Sequence, residues 1–202
     1  DAEKHGDARR TTIQPAAIAS RSEVAAVADE PVTVIISEKG WARVRQGHGL
    51  DLSGVVFKDG DRAGSAQECR SVDSLVILST EGRAFTVAVA SLPDGRGMGA
   101  PLSSFVDLGA GKIAHVLTGL PEEQLLVAKT SGYGFVCTYA DLLSRQKAGK
   151  AFLSVEDGAV ILPPVRLAGK DHLAALSEDG RLLIFPLEQM KRLSAGKGVQ
   201  II

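Results

Sequence analysis

The sequence predicts an all-β protein of the propeller type, built from units of about 45 residues with around four short strands each. Three observations predict this fold class. A hairpin pattern occurs four times, a loop of glycine and basic residues follows each hairpin, and segments with helical character are short. One small sheet cannot bury both of its faces alone, so successive units must pack on one another.

Residues 1–29 are set apart from the repeats. Their run AAIASRSEVAAVADE is rich in alanine, serine and acidic residues, which is typical of a loosely ordered linker. The sequence starts with Asp1 rather than methionine, and we therefore expect a longer protein whose upstream region this linker joins to the repeats. Pro31 is expected to begin the first strand of the repeat domain, residues 30–202.

The four hairpins read VIISEKGWARV, VILSTEGRAFTV, LVAKTSGYGFVC and LAALSEDGRLLIF. Their turn glycines, spaced 42, 50 and 48 residues apart, are Gly40, Gly82, Gly132 and Gly180. The third turn, SGYGF, has the glycines of a phosphate-binding loop. Its continuation FVCTY is typical of a strand, however, and a phosphate loop normally opens a helix. The pattern therefore favours a hairpin turn, with Tyr133 packing or lying on the rim.

A glycine-basic loop accompanies each hairpin. The last three hairpins are followed by GRGMG, KAGK and SAGKG, and the first is followed sooner by RQGHG. Each loop leads into a further apolar stretch. We expect the four loops to occupy equivalent places on the rim of the propeller.

Helical character is limited to two segments. Ala140–Gln146 and Pro186–Leu193 are each expected to form one or two helical turns, with Asp141 as the N-cap of the first.

Composition limits the function classes. A hydrophobic content of 45% supports a real core, and no apolar run approaches the roughly 20 residues that span a bilayer. The net charge of −1 does not indicate a nucleic-acid binder by itself, although it permits one basic face. Cys69 and Cys137 lack metal or disulfide spacing and are expected to be free thiols. No metal site is expected from the histidines, which are His5, His48, His115 and His172.

Three segments resemble the A subunit of bacterial DNA topoisomerase IV: GDARRTTI, EPVTVIISEKGWARVRQGHG and SGYGFVCTYADLLSRQKAGKA. The resemblance runs along nearly all of the chain, from the end of the breakage-reunion region into the C-terminal domain. It implies a β-pinwheel, a propeller-like disc of four-stranded blades that exchange strands and whose rim binds and bends DNA. Four hairpins are fewer than the family's usual number of blades, so we expect an incomplete or gapped ring.

The sequence departs from the related gyrase A subunits in the loop after the first hairpin. Those subunits carry Gln-Arg-Arg-Gly-Gly-Arg-Gly there, whereas this chain has RQGHGLD at Arg45–Asp51. The departure favours decatenation and relaxation over negative supercoiling.

The resemblance also implies partners and cofactors. These are duplex DNA and an ATPase B subunit, in an assembly of two A and two B subunits whose B contacts lie outside this chain. ATP would bind the B subunit, and Mg²⁺ would bind the cleavage site. No cofactor is expected on the chain described by this sequence, and we expect this chain by itself to be monomeric. The implied location is the cytoplasm, on the nucleoid, with peripheral association of the holoenzyme with the inner membrane as an open alternative. A condensin-like complex is a further implied partner.

The candidate DNA contacts are the basic residues in and near the hairpin turns and glycine-basic loops. Such residues would contact phosphates without reading sequence. They are Arg43, Arg45, His48, Arg83, Arg96, Lys129, Arg145, Lys147, Lys150, Arg181, Lys191, Arg192 and Lys197.

Two other function classes compete with DNA binding. A protein-interaction propeller that docks a chromosome-organising partner is the main alternative, because propellers often bind proteins. An independent enzyme is not expected. The family's cleavage-tyrosine motif is absent, and neither Tyr133 nor Tyr139 has an acidic metal cluster nearby. The acidic stretches DGD and EDG are predicted to be turns.

Overall fold

The structure, a computed structural model, describes residues 28–202. Residues 1–27 of the predicted linker, with Lys4, Arg9, Arg10 and Arg21, lie outside the described residues. Within 28–202 the strands are β1 (Pro31–Ser37), β2 (Trp41–Gln46), β3 (Ala63–Arg70), β4 (Ser74–Ser79), β5 (Arg83–Ala88), β6 (Ala100–Pro101), β7 (Ile113–Leu117), β8 (Gln124–Ala128), β9 (Tyr133–Thr138), β10 (Lys150–Ala151), β11 (Val165–Arg166), β12 (His172–Leu176), β13 (Leu182–Pro186) and β14 (Val199–Gln200).

All four predicted hairpins are confirmed, as the antiparallel pairs β1–β2, β4–β5, β8–β9 and β12–β13. Each turn glycine has φ between 73° and 84°, the left-handed region that glycine enters without steric cost. Its N–H donates to the carbonyl three residues earlier at 3.0 Å. In three turns that earlier residue is a serine, whose hydroxyl accepts from the N–H after the glycine, as Ser37 does from Trp41 at 3.0 Å. The recurring serine therefore stabilises the turn.

Neighbouring repeats exchange strands. The first three sheets have the orders β3-β1-β2-β6, β10-β5-β4-β7 and β11-β8-β9-β14, so each takes one edge strand from the following repeat. These donated strands are β6, β10 and β14. Each pairs with the two residues that follow the turn glycine, as Ala100 and Pro101 pair with Ala42 and Trp41. The exchange confirms the architecture that the resemblance implies.

A buried apolar residue directly follows each donated strand. The N–H groups of Leu102, Phe152 and Ile201 donate to the turn-glycine carbonyls at 2.8, 2.9 and 2.7 Å. The three side chains are at most 9% exposed. Burying a side chain of this size contributes roughly 1.5–3 kcal/mol, which fastens a strand that is itself only two residues long.

The core lies between successive sheets as three apolar clusters. In β4, Leu75 and Ile77 face the first cluster, whereas Val76 and Leu78 face the second. A strand buried on both faces reads as a continuous apolar run, which explains why this strand lacks alternation.

The fourth sheet contains β12 and β13 within the described residues. Phe185 packs into the third cluster, while Leu176, Leu182 and Ile184 are at least 60% exposed. One face of this hairpin is therefore buried and the other is open.

The predicted helices are shorter than expected. They form single 3-10 turns at Tyr139–Leu142 and Leu187–Gln189, and no helix in residues 28–202 is long and apolar enough to cross a membrane. The prediction of Asp141 as N-cap is wrong. Thr138, in extended conformation, is the N-cap, and its side chain accepts from the Asp141 N–H at 3.2 Å. Asp141 is the reciprocal partner of this capping box, accepting from the Thr138 N–H at 2.9 Å.

Candidate nucleic-acid interface

The first three sheets have two different edges. Strands β3, β7 and β11 form one edge of each sheet, and residues of all three line a shared cavity of about 790 Å³. The donated strands β6, β10 and β14 form the opposite edge. We call this the outer edge, and we call the segments that precede its strands, residues 94–99, 144–149 and 191–198, the outer loops.

The glycine-basic sequences of the last three hairpins fall in or at the ends of the outer loops. The last glycine of each sequence lies against a strand carbonyl of the preceding repeat. A Cβ at Gly99, Gly149 or Gly198 would lie 2.5–2.6 Å from the carbonyl oxygen of Ala42, Ala84 or Gly134, respectively. These glycines therefore allow the donated strand to approach its partner. These glycines lie at similar distances in sequence after the turn glycines, because each precedes a strand that pairs with the preceding sheet.

The prediction that all four glycine-basic loops are equivalent is wrong for the first. RQGHG continues from β2 into a long connection to β3, and no donated strand follows it. It is tied to β3 instead, because the His48 ring Nε2 contacts the Cys69 carbonyl at 2.9 Å and the Gly49 N–H donates to Glu68 at 2.6 Å. Three loops are thus equivalent, and the first differs because it leads into no donated strand.

Eleven of the thirteen candidate residues have exposed or half-exposed side chains. Arg83 and Lys150 are half-buried. The exposed members are Arg45, His48, Arg96, Arg145, Lys147, Arg181, Lys191, Arg192 and Lys197.

Two candidates are buried, which contradicts their prediction as surface contacts. Arg43 is 8% exposed, and its guanidinium donates to the Gly97 and Val56 carbonyls at 2.5 Å each. Burial, and secondarily the charge of Arg45, lower the pKa of Arg43. Lys129 is 1% exposed and likewise cannot reach a phosphate.

Lys129 replaces the serine found in the other three turns and has a different role. Its ammonium donates to the Ser154 carbonyl at 2.5 Å and to the Glu156 carboxylate at 2.6 Å. The hydrogen bond from Lys129 lowers the pKa of Glu156 to about 2. A buried lysine is tolerated here because its charge is paired and hydrogen-bonded.

Three exposed candidates lie near carboxylates. The Arg96 Nε is 4.0 Å from Asp94, a loose pair in which both side chains are largely exposed, and the other two pairs are closer. The Lys197 ammonium lies 3.5 Å from Glu156 and 4.4 Å from the Tyr133 ring centroid. The Arg181 guanidinium pairs with Asp179 of its own turn at 2.7 Å. A phosphate would have to compete with Asp179 and Glu156 at these two closer pairs, so the outer-loop cations without so close a carboxylate are better placed to bind an anion.

The tyrosines and thiols have structural environments. Tyr139 is 1% exposed and donates its hydroxyl to the Ser74 carbonyl at 2.6 Å; burial is the main cause that raises its pKa. Cys69 and Cys137 are free and buried, as predicted, and desolvation raises their pKa values to about 11 and about 12. Within residues 28–202, no cluster of three metal-ligating side chains occurs.

Sequence reasoning missed several exposed cations beside the first sheet, and one of them lies against an aromatic ring. Lys58, in the connection between β2 and β3, lies 5.1 Å from the centroid of the Trp41 ring. The sequence of this connection differs from that of the corresponding segments of the other repeats, so the repeat alignment could not identify Lys58. The only feature of the local sequence that marks the position of Lys58 is the Asp-Gly turn that follows it.

No protein-family profile matches the chain. The chain is 40% identical to the DNA topoisomerase 4 A subunit of Neisseria gonorrhoeae and 42% identical to that of Pseudomonas aeruginosa, with 100% of the chain aligned in each case. It spans 27% of the length of these relatives.

Solved structures show the same relationship. The structure of the E. coli ParC C-terminal domain superimposes with a TM-score of 0.82 at 37% identity, over 86% of this chain and 71% of that one. A DNA gyrase A C-terminal domain shares the fold alone, at 20% identity and a TM-score of 0.61, over 85% of this chain and 60% of that one. The alignment of the whole chain and the agreement in fold lead to one conclusion: the chain belongs to the DNA topoisomerase IV A subunits and corresponds to their C-terminal domain.

Proposed function

We propose that this domain binds duplex DNA along its outer edge without reading sequence, and so sets the substrate preference of a topoisomerase. One observation carries the proposal: three successive repeats place exposed cations in equivalent outer loops beside a donated strand. Lysine and arginine contacts to phosphates are largely independent of sequence and release counterions, so binding should weaken steeply with salt.

The arrangement of the sheets supports bending. The first three sheets surround one cavity, and their outer edges therefore point in different directions. A duplex that contacts Arg96, Lys147 and Arg192 in turn would have to curve around the domain. Bending a site of 20–30 base pairs by 40–90° costs on the order of 1–6 kcal/mol, which several phosphate contacts together can offset.

At the level of the whole enzyme, we propose that the domain serves a type II topoisomerase in decatenation and relaxation during chromosome segregation. DNA cleavage with Mg²⁺ would take place elsewhere on the A subunit, whereas ATP hydrolysis would take place on the B subunit, in the cytoplasm on the nucleoid. Negative supercoiling is not proposed, because Arg45–Asp51 has only fragments of the gyrase pattern. The similarity to known proteins does not support the expected condensin-like partner.

The experiment compares equal charge changes in the outer loops and beside the shared cavity. The outer-loop variant is Arg96→Glu with Lys147→Glu. The control is Lys39→Glu with Lys112→Glu, two exposed lysines that line the shared cavity. Affinity for a random-sequence duplex is measured across salt concentrations by fluorescence anisotropy, and bending by end-to-end energy transfer.

The outer-loop variant should bind at least tenfold more weakly, or about 1.4 kcal/mol, with its log-log salt slope reduced by about 1.8 for two lost phosphate contacts. The control should lose far less. Equal losses in both variants would show that binding follows total charge, and no binding by the unaltered chain at low salt would refute the proposed function.

A further inference from the structure

A residue near the start of the second hairpin strand contacts the outer loop of the following repeat in each of the first three repeats. Arg43 donates to Gly97, Arg83 donates to Ala148 and Gly149, and Tyr133 lies under Lys197. The contacted residues belong to GRGMG, KAGK and SAGKG, respectively. A contact between the second hairpin strand and the next outer loop is thus made three times, from the third residue after the turn glycine in the first repeat and from the first residue in the other two.

Arg43 joins two segments that are far apart in sequence. One terminal nitrogen donates to Gly97 in the outer loop 94–99 and the other to Val56 in the connection between β2 and β3, both at 2.5 Å. The Phe57 ring centroid lies 5.2 Å from its guanidinium carbon. The Arg43 Nε is buried without a hydrogen-bond partner, which costs free energy. The guanidinium remains in this position with its two other nitrogens bonded to the carbonyls.

Arg83 repeats the arrangement one sheet further on. Its Nε and one terminal nitrogen donate to the Ala148 carbonyl at 3.0 and 2.6 Å, and the same terminal nitrogen donates to Gly149 at 3.0 Å. The outer loop 144–149 carries Arg145 and Lys147, which are both exposed. The arginine therefore fixes the backbone of a segment whose own cations point to solvent.

We infer that Arg43 and Arg83 are positioning residues that fix the outer loop of the next repeat, rather than phosphate contacts themselves. The inference rests on the proposed function, because positioning matters for DNA only if the outer loops bind it. A guanidinium suits this role because its planar fork donates to several carbonyls at once, whereas an ammonium is a compact point charge. A loop that is already fixed in this way loses less conformational entropy when its cations bind phosphates.

The test separates charge from geometry with four variants: Arg43→Lys, Arg43→Met, Arg83→Lys and Arg83→Met. Arg62→Lys is the matched control, because Arg62 is an exposed arginine next to β3, at the edge opposite the outer edge, and pairs with Glu38. DNA affinity and its salt slope are measured for the full chain. Hydrogen-deuterium exchange is measured separately for residues 94–99 and 144–149, without DNA.

For positioning residues, the lysine variants should lose affinity at least fivefold, nearly as much as the methionine variants, although they keep the charge. The methionine variants should reduce the salt slope by more than the roughly 0.9 expected for one phosphate contact, because other loop cations are displaced with the loop. Exchange should rise in 94–99 for the Arg43 variants and in 144–149 for the Arg83 variants. The Arg62 control should change none of these quantities.

Affinity retained in the lysine variants but lost in the methionine variants would overturn the inference, because the charge alone would then act. Unchanged affinity together with unchanged loop exchange would overturn it as well. If the Arg43 variants prove unfolded, the Arg83 variants decide, since Arg83 is only half-buried. Failure of the unaltered chain to bind DNA would refute the proposed function, while loop exchange would still report whether these arginines hold the loops.

Discussion

Substituting Gly149 by alanine should unseat the donated strand β10. Gly149 has φ of 64°, and an added Cβ would lie 2.6 Å from the Ala84 carbonyl oxygen and within 2.8 Å of the Phe85 ring. Neither neighbour can move freely, because Ala84 and Phe85 are fully buried in β5. The substitution therefore has to displace the outer loop and the strand that follows it.

The magnitude follows from what β10 contributes. A left-handed alanine costs about 1–2 kcal/mol. Loosening β10 also exposes part of Phe152, worth roughly 1.5–3 kcal/mol when buried, and breaks hydrogen bonds of about 0.5–1.5 kcal/mol each. We expect the free energy of unfolding to fall by about 3–5 kcal/mol. In a domain of this size, that corresponds to a decrease in Tm of roughly 6–20 °C.

Gly158→Ala is the matched control. Gly158 also has a left-handed φ, of 80°, but a Cβ there would meet no atom within 4 Å. It should cost only the backbone strain, about 1–2 kcal/mol. Urea denaturation followed by far-ultraviolet circular dichroism measures both variants. Equal losses of stability would show that the contact with Ala84 is unimportant and that the proposed seating of the donated strand is wrong.

Three further predictions concern buried or paired groups. Lys129→Met should leave DNA affinity within about twofold of the unaltered chain, whereas Lys147→Met should weaken it and lower the salt slope by about 0.9; an equal effect would contradict the burial of Lys129. The folded-state pKa of Glu156, about 2, lies below its ordinary value of 4.5, so its stabilisation is present above pH 4.5 and is lost as the pH falls towards 2. The stability advantage over Glu156→Gln, measured by denaturation at several pH values, should shrink in that window, and a constant difference would contradict the ion pair. Cys69 and Cys137 should react with a thiol reagent at pH 8 only after denaturant is added, because both are buried with raised pKa values; rapid labelling of the native chain would contradict this.

The hairpins were predictable because their determinants are local. A turn glycine such as Gly82 and the apolar residues on both sides of it lie within about a dozen residues, and the left-handed turn excludes most other residue types. The strand exchange was not predictable from periodicity. The donated strands have two residues each, too few for an alternating pattern, and Pro101 pairs with Trp41 from a different repeat.

The candidate interface was predictable only in part. The alignment located the outer loops, but it could not distinguish Lys129 from an exposed lysine. Its burial depends on Glu156, which follows it by 27 residues and lies in the segment that joins β10 to β11. Likewise Arg43 and Arg45 are two residues apart on one strand, but only Arg43 is buried. Its guanidinium donates to the carbonyls of Val56 and Gly97, which lie in loops distant in sequence.

The sequence by itself determined the number and places of the hairpins, the turn residues and the free state of the thiols, because these depend on backbone preferences and residue spacing along a short stretch. Only the tertiary structure decided which three of the four glycine-basic loops are equivalent and which cations remain exposed. The physical reason is that each outer loop lies against a strand of the preceding repeat. Its exposure and hydrogen bonds are therefore set by residues far away in sequence, such as Ala42 for Gly99 and Ala84 for Gly149.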